Sequence, residues 1–169
     1  MRWRAGRATL AVAAMVVVAG CAGKRIEDGV FHSRSGYRIA LPGAAWTVAE
    51  RGPAELELRH RRLPAGMLVN AACQGRAARR SLDVLTRHVL IGLRDRTVLE
   101  AGQVSVNGRH GARAVVEGRP QGSDDRVRVE AYVLKDGRCV YDLLYVAPPG
   151  AFDALRTEFE AFVQSFTTE

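Results

Sequence analysis

The chain is 169 residues long, with 25 Lys and Arg against 18 Asp and Glu, a formal net charge of +7, and 47% hydrophobic residues. That size suits one domain with a real core, and the apolar share excludes a disordered chain. The basic excess falls short of the strong stripe of a nucleic-acid binder, so no nucleic-acid partner is expected.

The first residues are Arg2, Arg4 and Arg7, followed by the apolar run ATLAVAAMVVVA and then Val18-Ala19-Gly20-Cys21. Positive charge, a run too short to span a bilayer stably, and small residues before a cysteine are the parts of a secretory signal. The last four positions resemble the lipobox of bacterial lipoproteins, which implies a diacylglycerol thioether on Cys21 after cleavage. An uncleaved membrane anchor is the competing reading. Residues 1–20 hold three arginines and no acid, so residues 21–169 carry +4. The expected organisation is a signal peptide over 1–20, a lipidated tether over 21–28 and a single domain over 29–169. The lipid on Cys21 would then be the membrane attachment. Ala22 stands where an aspartate would resemble an inner-membrane retention signal. The expected address is the cell envelope, at the outer membrane facing the periplasm if the organism is Gram-negative.

From Val30 and Phe31 the chain reads as strands. YRIAL (37–41) alternates and stops at Pro42, WTVA (46–49) follows a glycine-containing turn, and AELELRH (54–60) alternates with Leu56 and Leu58 on one face. GMLVNAAC (66–73) is continuously apolar and suits an interior strand. Ser81 is a good N-cap, Asp83 favours the helix start, and Leu82, Leu85, Val89 and Leu93 recur at helical spacing, which predicts a helix over 81–94.

Two hairpins follow. Asn107-Gly108 and Asp136-Gly137 both suit a type I′ turn, whose two positive φ values these residues accept cheaply. With Asp136 and Gly137 as the loop, Val133 faces Val140 and Tyr132 faces Tyr141. One side of that hairpin then carries Val127, Val129, Ala131, Val133, Val140, Leu144 and Val146. The other carries Tyr132, Tyr141, Leu143 and Tyr145 beside Arg128 and Glu130. Both sides are apolar enough to need cover, so layers are expected above and below the sheet. A last helix over 150–166 carries the stripe Phe152, Leu155, Phe159, Phe162, Val163 and Phe166, which reads as core.

With Cys21 assigned to lipid, Cys73 and Cys139 remain. An exported domain meets oxidising conditions, so a disulfide between them is one reading. Two small buried thiols in strands is the other.

The segment GYRIALPGAAW, with Tyr37, Pro42 and Trp46, resembles the opening strand and turn of the PsbP-like (Mog/PsbP/DcrB-like) superfamily. The helix, the hairpins and the closing FEAFVQSF follow in the order such proteins show. The resemblance implies an α+β fold, an α/β/α sandwich with a mainly antiparallel sheet and two main helices. It also implies mostly non-enzymatic members that act through protein contacts, and no shared catalytic motif.

Chemistry-bearing patterns are sparse. His32, His60, His88 and His110 never fall at a metal-ligand spacing, so no metal or cofactor is expected. His88 reads as a boundary residue of its helix. His110, alternating with Ala112, Ala114 and Val116, reads as a partly buried, hydrogen-bonded histidine. No nucleophile elbow, phosphate loop or dinucleotide fingerprint occurs. Two basic clusters stand out: Arg59, Arg61 and Arg62 after a strand, and Arg76, Arg79 and Arg80 before a helix. They read either as solvated loops or as one shared contact for anionic surfaces. The expected function is a non-enzymatic binding or scaffold domain for a protein or envelope partner. A small-ligand or lipid-binding domain is the first alternative, an unrecognised hydrolase the second.

Overall fold

The computed structural model describes residues 25–75 and 77–168, which leaves Cys21 and Arg76 outside the described residues. Its strands are β1 (Arg25–Glu27), β2 (Val30–His32), β3 (Tyr37–Ala40), β4 (Trp46–Val48), β5 (Leu56–His60) and β6 (Gly66–Ala72). Helix α1 (Leu82–Val89) comes next, then β7 (Leu93–Val106), β8 (Arg109–Pro120), β9 (Val127–Lys135) and β10 (Val140–Ala147). Helix α2 (Pro149–Gln164) and the short β11 (Thr167–Thr168) close the chain.

Among the described residues the strands form a seven-stranded sheet in the order β4-β5-β6-β10-β9-β8-β7 and a four-stranded one in the order β1-β2-β3-β11. Every pairing is antiparallel. Strands β7 to β10 are a meander, and β6 joins it beside β10. That choice places the continuously apolar β6 in the interior of the sheet, paired on both edges, with Met67 and Val69 against the α2 core.

The alternation of β9 and β10 decides the layers. Tyr132, Leu134, Tyr141, Leu143 and Tyr145 point into one core with Leu56, Leu58, Met67 and Val69. Helix α2 closes that core with Phe152, Leu155, Phe159, Phe162 and Val163, joined by Phe31, Tyr37 and Ile39 of the small sheet. Each buried phenylalanine contributes about 2 kcal/mol from its removal from water. Ala131, Val133, Val140 and Leu144 point the other way, against Leu85 and Leu90 of α1 and its C-cap. The fold is therefore α+β, with the two helices on opposite faces of an antiparallel sheet.

Four local readings change. First, Arg25–Glu27 pairs with β2 instead of forming tether, because Asp28-Gly29 takes positive φ at both positions and closes a hairpin. Second, α1 stops at Val89, and residues from Leu93 enter β7, where Leu93 pairs with Pro120 and supplies a neighbour to the long β8. Register breaks between Arg94 and Thr97 and between Val98 and Glu100 accommodate the change, with Asp95 at φ 49.

Third, Asn107-Gly108 forms the expected two-residue turn, but Asp136-Gly137 does not. Only Gly137 takes a positive φ there, and the pairing runs Lys135 with Val140, so the loop is residues 136–139. The carboxylate of Asp136 is the reason. It accepts the N–H groups of Arg138 (3.1 Å) and Cys139 (2.8 Å) and the hydroxyl of Tyr141 (2.7 Å), which holds a wider turn. The register shifts by two, an even number, so every side chain keeps its face. Fourth, His110 is exposed near the β7–β8 turn, because β8 projects past the cover of α1 at that end.

Candidate functional site

The two faces of the large sheet are unevenly covered. Helix α2 has 16 residues and five of them are buried, whereas α1 has eight residues and one buried side chain, Leu85. The contacts of α1 reach β8 and β9, so β5, β6 and part of β10 keep a half-covered face. Cross-strand pairs place Glu57, Leu68 and Leu144 in one row of that face, and Asn70 and Asp142 in the next. The result is an open trough with an apolar floor and polar margins.

At one end of the trough lies a hollow of about 380 Å³, lined by Glu57, Arg59, His60, Leu63, Leu68 and Val146 among others. His60 shapes it. Its Nδ1 accepts the N–H of Leu63 (2.9 Å) and of Arg62 (3.3 Å), which assigns its proton to Nε2 and pins the β5–β6 connection. Its ring meets Trp46 edge-on at 5.1 Å, and the Trp46 indole N–H donates to Glu158 (2.7 Å). At the other end Asp142 is held at an apolar position between Val140 and Leu144. Burial pushes its carboxyl up to about 6, against a small opposing pull from His88. The sequence held a signal for it: one acid in an inward row of aliphatics.

A second hollow of about 420 Å³ lies on the α2 side, between Leu41–Ala45 and Glu158, Ala161, Phe162 and Ser165. Its walls are mostly apolar, with Glu158 and Ser165 as the polar side chains. Under α2 itself sits a buried ionic cluster. Glu130 has no exposed surface, accepts from Arg113 Nε at 2.6 Å and faces Arg156 Nε at 3.2 Å, a contact too poorly aligned to be a hydrogen bond. Glu100 on β7 joins the same two arginines at 2.8 and 2.9 Å. Burial raises the pKa of Glu130, and Arg113 and Arg156 pull it back. Opposite charges face one another throughout, with Glu130 Oε2 and Arg156 Nε in ion-pair contact only, so the cluster reads as a clamp between α2 and the sheet rather than as reactive groups.

The two arginine clusters are separated. Arg59 pairs with Gly66 at the start of β6, with Arg61 and Arg62 in the following connection, while Arg79 and Arg80 lie beyond its end. One strand length stands between them, so they do not form a common surface. The antiparallel hairpin β5–β6 is the reason. Cys73 and Cys139 do meet: their sulfurs are joined, with Cα atoms 3.9 Å apart, which ties the end of β6 to the β9–β10 turn. His32, His60, His88 and His110 stay dispersed, and among the described residues no group of three or more His, Cys, Asp and Glu is placed to hold a metal.

No family model and no curated protein matches the chain. Its structure does match solved ones. Cyanobacterial PsbP (CyanoP) from Synechocystis sp. PCC 6803 aligns with a TM-score of 0.59 and 13% identity, over 95% of this chain and 99% of that one. LpqN of Mycobacterium tuberculosis, described as involved in cell envelope biogenesis, aligns at 0.60 and 13% identity, over 81% and 87%. A Bacteroides thetaiotaomicron VPI-5482 protein aligns at 0.59 and 11% over 83% of this chain, which spans 48% of that protein. The chain has the PsbP-like fold. At these identities the likeness is one of fold.

Proposed function

We propose that this chain is a non-catalytic, extracytoplasmic binding domain, lipid-anchored through Cys21, which holds a protein or envelope component at the trough beside β6. The observation that carries the reading is the uneven cover of the sheet. A carboxylate at a desolvated position and an apolar floor of Leu68 and Val146 are left for something outside the fold to cover. A cation from a partner, seated over Asp142, would draw its carboxyl back toward the ordinary range. The lipobox at Val18–Cys21 supports the anchor, and the Cys73–Cys139 bond suits an oxidising compartment. The envelope role described for LpqN agrees with that address.

A small-ligand role is the second reading. The 380 Å³ hollow falls within the usual size of ligand sites, with Arg59 and His60 as polar groups at its rim. One experiment separates the two. A photocrosslinking residue replaces Leu68 in the full chain, or Gln164 on the exposed side of α2 as control, and intact cells are irradiated. An adduct of protein size at position 68 alone supports the partner role. An adduct of a few hundred daltons favours the ligand, and no adduct at 68 defeats both. Weaker crosslinking on Cys21→Ala would tie the contact to the anchor.

A further inference from the structure

We infer that the disulfide end of the domain is a membrane-docking surface, whose cationic side chains rest on the anionic phospholipid head groups of the bilayer that holds the anchor. The inference rests on the lipid anchor at Cys21 and adds an orientation to it. Three turns and the chain entry lie at this end. The β9–β10 turn carries Lys135 and Arg138, and Lys135 Nζ donates to the carbonyl of Arg80 at 2.8 Å. Lys135 also pairs with His110, next to Arg109 at the β7–β8 turn. Arg109 in turn donates to the Thr168 hydroxyl. The Ser33–Gly36 turn, with Arg34, packs against the disulfide, where Cys73 Sγ lies 3.7 Å from the Ser35 carbonyl.

The small sheet continues the surface. Thr167 pairs with Arg38, Arg38 with His32, and His32 with Arg25, so three basic side chains occupy one cross-strand row. Most acids at this end are engaged, with Glu50 and Asp83 exposed at its margin. Asp136 takes the three hydrogen bonds of its own turn, Glu27 pairs with Arg25, and Glu55 accepts from Ser33 and Ser35 at 2.5 and 2.7 Å. Arg34, Arg38, Arg80, Arg109, Lys135 and Arg138 therefore concentrate positive charge at one pole of a chain whose residues 21–169 carry +4 in total.

The chain enters the fold at the same pole. Arg25 is four residues after Cys21, a reach of at most about 14 Å when fully extended. The seven residues of β6 alone span about 20 Å. The lipid thus meets the bilayer beside this pole, and Arg59, Arg61 and Arg62, with the 380 Å³ hollow, face away from it. Docking by head-group attraction fixes the tilt of the domain and presents the trough's far end to the envelope space.

The test uses the full chain, expressed and purified as its own mature form. It is reconstituted in vesicles of phosphatidylcholine alone or of phosphatidylcholine and phosphatidylglycerol in equal parts. Phenylglyoxal labelling is then read arginine by arginine by mass spectrometry. On the mixed vesicles at low salt, labelling of Arg34, Arg80 and Arg138 should slow about fivefold, the gain of one charge near an anionic surface. Labelling of Arg59, Arg61 and Arg62 should be unchanged, and high salt should abolish the difference. The double variant Arg80→Glu/Arg138→Glu should lose the protection at Arg34. Uniform labelling, or protection of Arg59–Arg62 instead, overturns the orientation and leaves the anchor standing. An amino-terminal peptide with an unmodified Cys21 overturns the anchor and the orientation with it.

Discussion

Two carboxylates define the chemistry of this domain at the scale of single residues, and they differ in who compensates them. Glu130 is enclosed by Arg113 and Arg156, so removing it leaves the two cations under α2 sharing the half-exposed Glu100. Glu130→Ala should lower unfolding stability by about 3 kcal/mol, read from urea midpoints. Asp142 has no such clamp: Asn70 lies opposite it and His88 exerts only a small pull. Its folded-state value near 6, against 3.8 for the free group, means that below pH 3.8 the carboxyl is neutral in both states and carries no penalty. Between about pH 3.8 and 6 the unfolded state loses this proton and the folded state keeps it, so stability falls across that window and stays lower above it. Asp142→Asn should therefore stabilise the protein by about 3 kcal/mol at pH 8, and the gain should fall away below about pH 3. An equal gain at both pH values would show that packing, not charge, sets the effect. A residue kept at such a cost suits a contact outside the fold.

At the scale of elements, the turns and caps rest on specific side chains. Asn107 sits at φ 47, and its amide donates to the carbonyls of Gln164 (2.9 Å) and Phe166 (2.8 Å), so one turn also closes the end of α2. Asn107→Gly keeps the backbone freedom and loses both bonds, which should cost about 2 kcal/mol in chemical denaturation. Asn107→Ala should cost more, since it adds the strain of the left-handed conformation. The Cys73–Cys139 bond closes a separation of 66 residues, and the double variant Cys73→Ser/Cys139→Ser should lose about 4 kcal/mol. Thiol titration of the denatured, unreduced chain should find neither cysteine free. The exposed edge strand β7 is guarded by its own residues: Arg94, Asp95, Arg96 and Glu100 and the two register breaks oppose pairing with another strand.

Across the whole molecule, stability should fall from the α2 side to the α1 side. The α2 core joins both sheets through a ring group of Tyr37, Tyr141 and Phe166, 5.0 to 5.9 Å apart, and a Tyr145–Phe159 pair at 5.5 Å. Helix α1 contributes one buried side chain and leaves the trough beside it open. Amides of α1 should exchange with solvent well before those of α2 and β10, measured by hydrogen-exchange mass spectrometry under native conditions. Exchange of the two helices as one unit would contradict the uneven cover. Slower exchange of α1 and β6 in intact membranes than in detergent would report an occupied trough.

The sequence alone determined what depends on neighbours along the chain. The period of two in β9 and β10 assigned Tyr132, Tyr141, Leu143 and Tyr145 to one core and Val133, Val140 and Leu144 to the other, and an even register shift left that assignment intact. The phenylalanine stripe of α2 and the Asn107-Gly108 turn were equally legible, because helix period and turn chemistry are local. Asp28-Gly29 carried the same turn signal, and with it the first strand pair. Tertiary structure decided the rest. The place of β6 beside β10 comes from pairing both edges of an apolar strand and burying Met67 and Val69 in the α2 core, and it joined Cys73 to Cys139. The same strand order sent Arg59, Arg61 and Arg62 to one pole and Arg79 and Arg80 to the other. The Glu130 clamp and the solitude of Asp142 depend on which helix lies over which strands. Such contacts join residues far apart in the chain, and they form only because the assembled sheet must bury both of its faces.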